Sequence, residues 1–421
     1  MTKVGLAVHR TFHAVHHSRN FRLFFAGQAV SMTGTWVQYV ASTWLVLRLT
    51  GSGVALGVVT ALSFAPILLF GAWAGVLADR YDKRRILLWT QSGFAVLALV
   101  MWTLVVTGVV ELWMVYTLAF LQGIVTAVDN PARQSFFAEM VDAEHLTNAV
   151  SLNSAVMTGT RIVGPAIAGI LIATAGLDVC FLVNGISFLA VIAGLAVMRP
   201  EDLHRISAAR GPGALREGMR YVWRTPGLRT PLVVSAVIFT FSFNISVFMP
   251  LMAEDVFRGD AATLGSLLSF MGIGSLVGAL AMARGARPNP MRLMVAATGL
   301  GLVSVVAAAM PSLHAELAAL VALGLVSIVF MITANTTLQL TSRPEMRGRV
   351  MALYAVVFLG GTPVGAPLAG WTAEWLGPRW GFAIGGLIAF AVGLVGLRAL
   401  RRRTVAEPQP EADLDAEAQA A

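Results

Sequence analysis

Three groups of side chains in this chain could do chemistry. Arg161 stands inside a run that is otherwise apolar or small, between Met157 and Ile162-Val163-Gly164. A guanidinium there would contact an anionic or hydrogen-bond-accepting group, act on a titrating neighbour, or bond the carbonyls of adjacent helices. Asp79-Arg80-Tyr81-Asp82-Lys83-Arg84-Arg85 packs six charges into seven residues directly after Gly75-Val76-Leu77-Ala78. Charge at that density cannot lie in hydrocarbon, so it marks a short turn between two membrane spans. His9, His13, His16 and His17 recur at helical spacing, which suits metal ligation. With Val8, Phe12 and Val15 interleaved, a solvated or headgroup-facing arm is the simpler reading. The acidic residues Glu111, Asp129, Glu254, Asp255, Glu316 and Glu374 fall near the ends of apolar runs, and no carboxylate sits at the middle of one.

The elements that must position these groups follow from composition. The chain has 421 residues, 57% hydrophobic and 12% charged, against about 25% charged in an ordinary soluble chain. Apolar runs recur along nearly its whole length. They are continuous rather than alternating, which excludes a β-barrel and gives an all-α membrane protein. Twelve spans are expected near 23–48, 53–77, 86–107, 111–131, 147–174, 178–198, 231–254, 263–283, 292–311, 314–337, 349–373 and 379–400. The domain plan is then an N-terminal arm at 1–22 and a six-helix bundle at 23–198. A central loop at 199–230, with a surface helix near 214–224, leads to a second six-helix bundle at 231–403 and a disordered tail at 404–421.

Charge gives orientation and excludes other classes. Of the basic residues, only Arg48, Arg161, Arg258 and Arg379 fall outside the segments on one side of the membrane. That asymmetry puts the Gly75–Arg85 turn and both termini in the cytoplasm, in the plasma or inner membrane. The net charge of +8 is therefore a topology signal, not a nucleic-acid face. Cys180 is the single cysteine, which leaves no internal disulfide and no cysteine metal site. No metal or cofactor is expected.

The halves repeat. Gly159-Thr-Arg-Ile-Val-Gly164-Pro165-Ala-Ile-Ala-Gly169 is echoed by Gly361-Thr-Pro-Val-Gly365-Ala-Pro367-Leu-Ala-Gly370. Gly176, Phe181 and Gly185 match Gly377, Phe382 and Gly386, and Gly278–Arg284 is a degenerate copy of the charged turn. Two parallel six-helix halves imply a pseudo-two-fold axis along the membrane normal, with a site between them near the midplane.

These residues resemble the major facilitator superfamily. Gly75–Arg85 is similar to its signature between the second and third spans, with Asp82 in place of a glycine. Gly159…Gly164-Pro165…Gly169 looks like the fifth-span signature of its exporting branch. Phe24…Gly27-Gln28…Ser31…Gly34-Thr35-Trp36…Gln38, Leu49-Thr50-Gly51-Ser52 and Asn130-Pro131-Ala132-Arg133-Gln134 resemble the subfamily of the enterobactin exporter and macrolide efflux proteins. The arginine usual three residues before Gln122-Gly123 is Ala119 here. The resemblance implies a latch of Gly75, Asp79, Arg80, Arg84, Arg85 and Asp129, with Asp79 bonding the start of the eleventh helix and Asp129 pairing with Arg84 or Arg85. It implies a gate at Gly159, Gly164, Pro165 and Gly169. It also implies a cavity between the first, fourth, seventh and tenth spans, lined by Ser31, Trp36, Tyr39, Gln38, Gln122, Thr126, Asn244 and Thr333, with Arg161 beside them.

The expected activity is secondary, alternating-access export of a small drug-like or siderophore-like compound, coupled to a proton gradient, by a monomer whose partners are that compound and membrane lipid. An importer or lipid-moving transporter of the same fold is the alternative. A primary pump lacks its phosphate loop here. A membrane-embedded enzyme is the remote reading, because all seven histidines lie in loops or at span ends.

Overall fold

Hydrocarbon leaves a spanning segment no water to bond, so each long apolar run must satisfy its own backbone as a helix. The computed structural model describes residues 15, 17–204, 214–283 and 289–406; His9, His13, His16 and Gly211-Pro212-Gly213 lie outside them, as do Arg284 and 407–421. The first six long helices are α1 (Arg19–Thr50), α2 (Gly53–Arg80), α3 (Lys83–Val106), α4 (Leu112–Met140), α5 (Ala143–Thr174) and α6 (Leu177–Val197). A surface helix, α7 (Ala214–Arg224), follows where one was expected. Then come α8 (Pro226–Phe241), α9 (Ile245–Leu251) with a π turn at Met252–Val256, α10 (Ala261–Ala283), α11 (Pro290–Ala308), α12 (Leu313–Thr341), α13 (Pro344–Leu376) and α14 (Pro378–Ala406).

Among the described residues, eleven segments are long and apolar enough to cross a membrane, with α8, α9 and the π turn counting as one. The twelfth long helix is α1, which Arg22, Gln28, Ser31, Gln38 and Thr43 make more polar than the rest. Most of its uncharged polar residues face protein: Asn20, Gln28, Ser31, Gln38 and Thr43 are all buried.

Helix ends follow local chemistry. Ser18, Ser52, Asp82, Asn289 and Ser312 each accept a hydrogen bond from a backbone N–H in the first turn of the helix they cap, and α1 stops at Gly51 with φ 60°. Two expected spans are corrected. The fourth continues past Pro131 to Met140, because Asp129 and Arg133 pair along the helix. The seventh is not continuous. Helix α8 ends at Phe241; Ser242 donates to Gly385 O at 2.7 Å, and Asn244 donates back to Thr240 O at 2.8 Å before the chain restarts as α9.

Within the first half α1 packs on α5 and α6, α2 on α4, and α3 on α4 and α6. In the second half α8 packs on α13, α10 on α12, and α11 on α12 and α14. The halves meet along two seams, α2 with α13 and α5 with α10. The repeat has a structural meaning. Gly164 lets α5 approach Trp36 on α1, and its counterpart Gly365 lets α13 approach Thr240 on α8. Gly169 faces Ala262 across one seam, and Gly370 faces Gly53 across the other. Gly176 and Gly377 both take positive φ (104° and 89°) at the turn into the last helix of each half, a conformation L side chains avoid.

Candidate functional site

A cavity of about 280 Å³ lies among α1, α2, α3 and α4. Trp36, Gln38, Gln122 and Thr126 line it, with Tyr39. Thr60, Ser63 and Phe64 of α2 and Leu97 and Met101 of α3 complete the wall, and no residue of the seventh or tenth span lines this cavity. Pro66 in α2 stands against Gly123 of α4, which has no side chain to hold α2 away. Ser31 is buried within the first half, off the cavity. Asn244 is buried at the α8–α9 break, its amide nitrogen close to Gly365. Thr333 borders a separate pocket with Met282, Met291 and Arg292. Polarity alone could not separate cavity residues from residues that bond helix to helix.

The cavity holds no charged lining residue among those described. The hydroxyls of Thr60, Ser63 and Thr126 donate back to their own helices at 2.8, 2.9 and 2.7 Å, leaving only acceptor lone pairs for a ligand. Gln38 accepts from Asn184 at 2.7 Å. The Gln122 amide has no hydrogen-bond partner among the described residues, so it is a polar group available to a guest. At the edge, the Arg161 guanidinium lies 5.3 Å from the Trp36 ring centroid, and Trp36 meets Tyr39 edge-on at 5.3 Å. Gly164 makes room for Trp36, so one small residue positions both aromatic wall and cation. The Arg161 backbone carbonyl lies against Gly272 of α10. No carboxylate pairs with it among the described residues. A guanidinium costs about 2.5–3.5 kcal/mol at mid-span; stacking on Trp36 offsets part of that.

The charged turn is built differently from expectation. Asp129 accepts from Thr90 at 2.7 Å, from Gln91 at 2.8 Å and from Arg133 Nε at 2.8 Å, with a second contact to Arg133 Nη2. Neither Arg84 nor Arg85 reaches it. Arg84 instead donates to Leu195 O at 2.7 Å and Ala196 O at 3.0 Å, the open carbonyl end of α6. Arg80 and Arg85 are exposed. Arg133 lies four residues after Asp129 on α4 and so on the same face, a spacing from which this pair could have been found. A buried pair that sequence reasoning missed, Lys83–Glu139 at 2.7 Å, ties α3 to α4.

The two ends of the seams differ. At the end opposite the charged turn the halves touch backbone to backbone: a Cβ on Gly53 would come within 2.9 Å of Gly370 O, and one on Gly265 within 2.5 Å of Pro165 O. Ser52 Oγ and Val54 N donate to Glu374 at 2.7 and 3.1 Å, so the end of α13 caps the start of α2. Toward the charged turn, Gly71, Gly75, Gly159 and Gly348 have nothing within 4 Å of a Cβ position. Asp79 is half-buried and has no hydrogen-bond or ion-pair partner among the described residues. The bonds expected between Asp79 and the start of α13 are not made in this state. That start is held by α7 instead, through Arg349 to Glu217 at 2.6 Å and Arg343 N to the Tyr221 hydroxyl at 3.3 Å.

Among the described residues, twelve long helices in two pseudo-symmetric sets, joined along two seams and with an internal cavity in the first set, define a multi-pass membrane transporter of the major facilitator superfamily. A solved structure, a bacterial homolog to human lysosomal transporter Spinster, has the same fold at TM-score 0.69 and 14% identity, over 93% of this chain and 98% of that one. The chain belongs to the family described as transmembrane secretion effector, whose model matches residues 11–419. It is similar to macrolide efflux protein A of Streptococcus pyogenes, 24% identical over 89% of this chain and 94% of that protein. It is also similar to the staphyloferrin A transporter of Staphylococcus aureus, 29% identical over 62% of this chain and 66% of that one.

Proposed function

We propose that the chain exports an amphiphilic organic compound from the cytoplasm, by alternating access coupled to a proton gradient. The observation that carries the reading is the uncharged, aromatic-walled cavity with unpaired Arg161 at its edge. Such a site takes an apolar or aromatic body, offers Gln122 one hydrogen bond, and meets an anionic or acceptor group at the guanidinium. The relatives named for macrolide efflux and staphyloferrin A support a guest of that class.

Orientation rests on positive charge: the end bearing Arg80, Lys83, Arg84 and Arg85 faces the cytoplasm of the plasma or inner membrane, and so do both termini. The state described here is then closed outward by Glu374 and the glycine seams and parted inward. In the other state Asp79 caps the start of α13, as Glu374 now caps the start of α2. For proton coupling, the candidate carboxyl is Glu316 on α12, fully buried, with neither oxygen hydrogen-bonded. The chain acts as a monomer, with the transported compound and surrounding lipid as its partners.

The test uses inverted membrane vesicles containing the full chain, with accumulation of fluorescent amphiphilic anions followed as the lumen is acidified. Uptake that needs the pH gradient, and falls about tenfold in Arg161→Ala but less in Arg161→Lys, supports the reading. Movement only in the opposite direction overturns export. Indifference to both pH gradient and membrane potential overturns coupling.

A further inference from the structure

At the charged end of the first half, three chain segments that are remote in sequence are fastened together. Ser18, the cap of α1, donates to Met140 O at 2.7 Å. Asn20 donates to Arg199 O at 2.8 Å and accepts from Arg199 N at 3.1 Å. His204 N donates to Glu139 O at 2.9 Å.

These bonds gather four side chains that transport does not use. His17 precedes α1, Asp142 and His145 begin α5, and His204 follows α6. One ligating atom from each of His17, Asp142 and His145 lies within 4.8 Å of the others. His204 Nε2 stands 3.5 Å from Asp142 Oδ1. The rings of His17 and His145 meet edge-on at 4.6 Å between centroids. Asp142 occupies the cap position of α5 but makes no side-chain cap bond, so its carboxylate is not committed to the helix.

We propose that His17, Asp142, His145 and His204 form a binding site for a divalent transition-metal ion of the zinc class. Four ligands at about 2.0–2.2 Å in a tetrahedron stand about 3.4 Å apart. The Asp142–His204 pair is at that spacing already. The ligating atoms of His17, Asp142 and His145, within 4.8 Å of one another, reach that spacing by side-chain rotation at the surface. Imidazole and carboxylate donors of this number suit zinc, nickel, cobalt or copper; calcium and magnesium prefer all-oxygen sets. The bound ion would staple the segment before α1 to the α4–α5 turn and to the chain leaving α6, fixing the N-terminal arm on the first half.

The experiment uses the full chain in detergent, carrying a purification tag without histidine and stripped with a chelator. Zn²⁺ is titrated against a chromophoric chelator, and Co²⁺ is added separately to read its visible absorption. One equivalent of Zn²⁺ bound, unaffected by excess Mg²⁺, with a tetrahedral Co²⁺ spectrum, is expected. Affinity should fall by about tenfold or more in His145→Ala and in Asp142→Asn, and be unchanged in His314→Ala at the opposite end. Thermal unfolding of each metal-free variant separates loss of a ligand from loss of fold. Absence of binding overturns the site, as does binding unchanged in the His17→Ala/His145→Ala double variant. Binding abolished by replacing His9, His13 and His16 alone also overturns it, by assigning the ion to the arm.

Discussion

Replacing Glu374 with alanine should open the end of the molecule that is closed in this structure. The carboxylate of Glu374 takes hydrogen bonds from Ser52 Oγ and Val54 N at 2.7 and 3.1 Å, so it serves as a cap for α2 supplied by the other half. Losing a cap is worth about 0.5–2 kcal/mol, typically 1, and the exposed setting of Glu374 argues for the middle of that range. Because the two bonds join the halves, the loss falls on one conformational state only. A difference of about 1 kcal/mol is about a fivefold change in the ratio of states. Alanine keeps the helical propensity of α13. Cys180 is buried, so introduced cysteines at Val109 and His314 can carry spin labels across this end, and at Tyr81 and Glu345 across the other. The Val109–His314 distances should shift toward the longer population and the Tyr81–Glu345 distances toward the shorter, with Ser52→Ala giving a smaller shift the same way. An unchanged distribution in Glu374→Ala, or a shift toward tighter closure, would refute the capping argument.

Further outcomes are expected elsewhere. Gln122→Leu removes one hydrogen bond worth about 1 kcal/mol, and should weaken polar substrates about fivefold in apparent affinity while sparing apolar ones in a resistance panel. Gly57→Ala places a methyl against Ala366 O and within 2.8 Å of Pro367 Cα; the spin-label pairs should report loss of the closed end. Gly75→Ala, with nothing within 4 Å, should leave this state intact and slow turnover. Equal effects would contradict the seam geometry. Asp129→Ala strands Arg133, Gln91 and Thr90 and should lower stability by about 3 kcal/mol, read as reduced thermal stability in detergent. Asp260 accepts from Thr263 N at 3.0 Å, and that bond holds its carboxyl below the usual range. Its contribution to stability is therefore present above the unfolded value near about 4 and lost as pH falls through the lower folded value. Asp260→Asn should accordingly flatten the fall in thermal stability at acid pH.

Much of the fold could be read from the sequence because lipid imposes a single solution on long apolar runs. The paired Gly164-Pro165 and Gly365…Pro367 stretches carried the two-fold relation, and the glycines at 169, 370, 176 and 377 occupy equivalent places. The break at Ser242–Asn244 was not legible, since its reasons, Gly385 O and Thr240 O, come from packing. The site was half legible. Trp36, Gln38, Gln122, Thr126 and Arg161 were found from type and position. Ser31 and Asn244 have the same chemistry but are buried elsewhere and Thr333 borders a separate pocket, and rotation of a helix about its axis is weakly encoded when both faces are apolar. Asp129 pairs with Arg133 one turn along its own helix, which spacing allows, whereas the diversion of Arg84 to the carbonyl end of α6 is visible only in the fold. Glu374 gave no signal beyond its place near a span end.

The seams between the halves have a kinetic consequence. Where Gly53 meets Gly370, Gly57 meets Ala366, and Gly265 meets Pro165, almost no side chain stands between the two backbones. Ordering a long side chain costs up to about 1.5–2 kcal/mol of rotamer freedom, and an interface of interlocked side chains must lose and recover that order at each separation. Here there is little to re-sort. The helices can part and re-seat without a search through rotamers, so the rate of reclosing is set by the motion of the halves as bodies and by the making of a few bonds to Glu374. An interface of this kind suits repeated separation better than permanent adhesion.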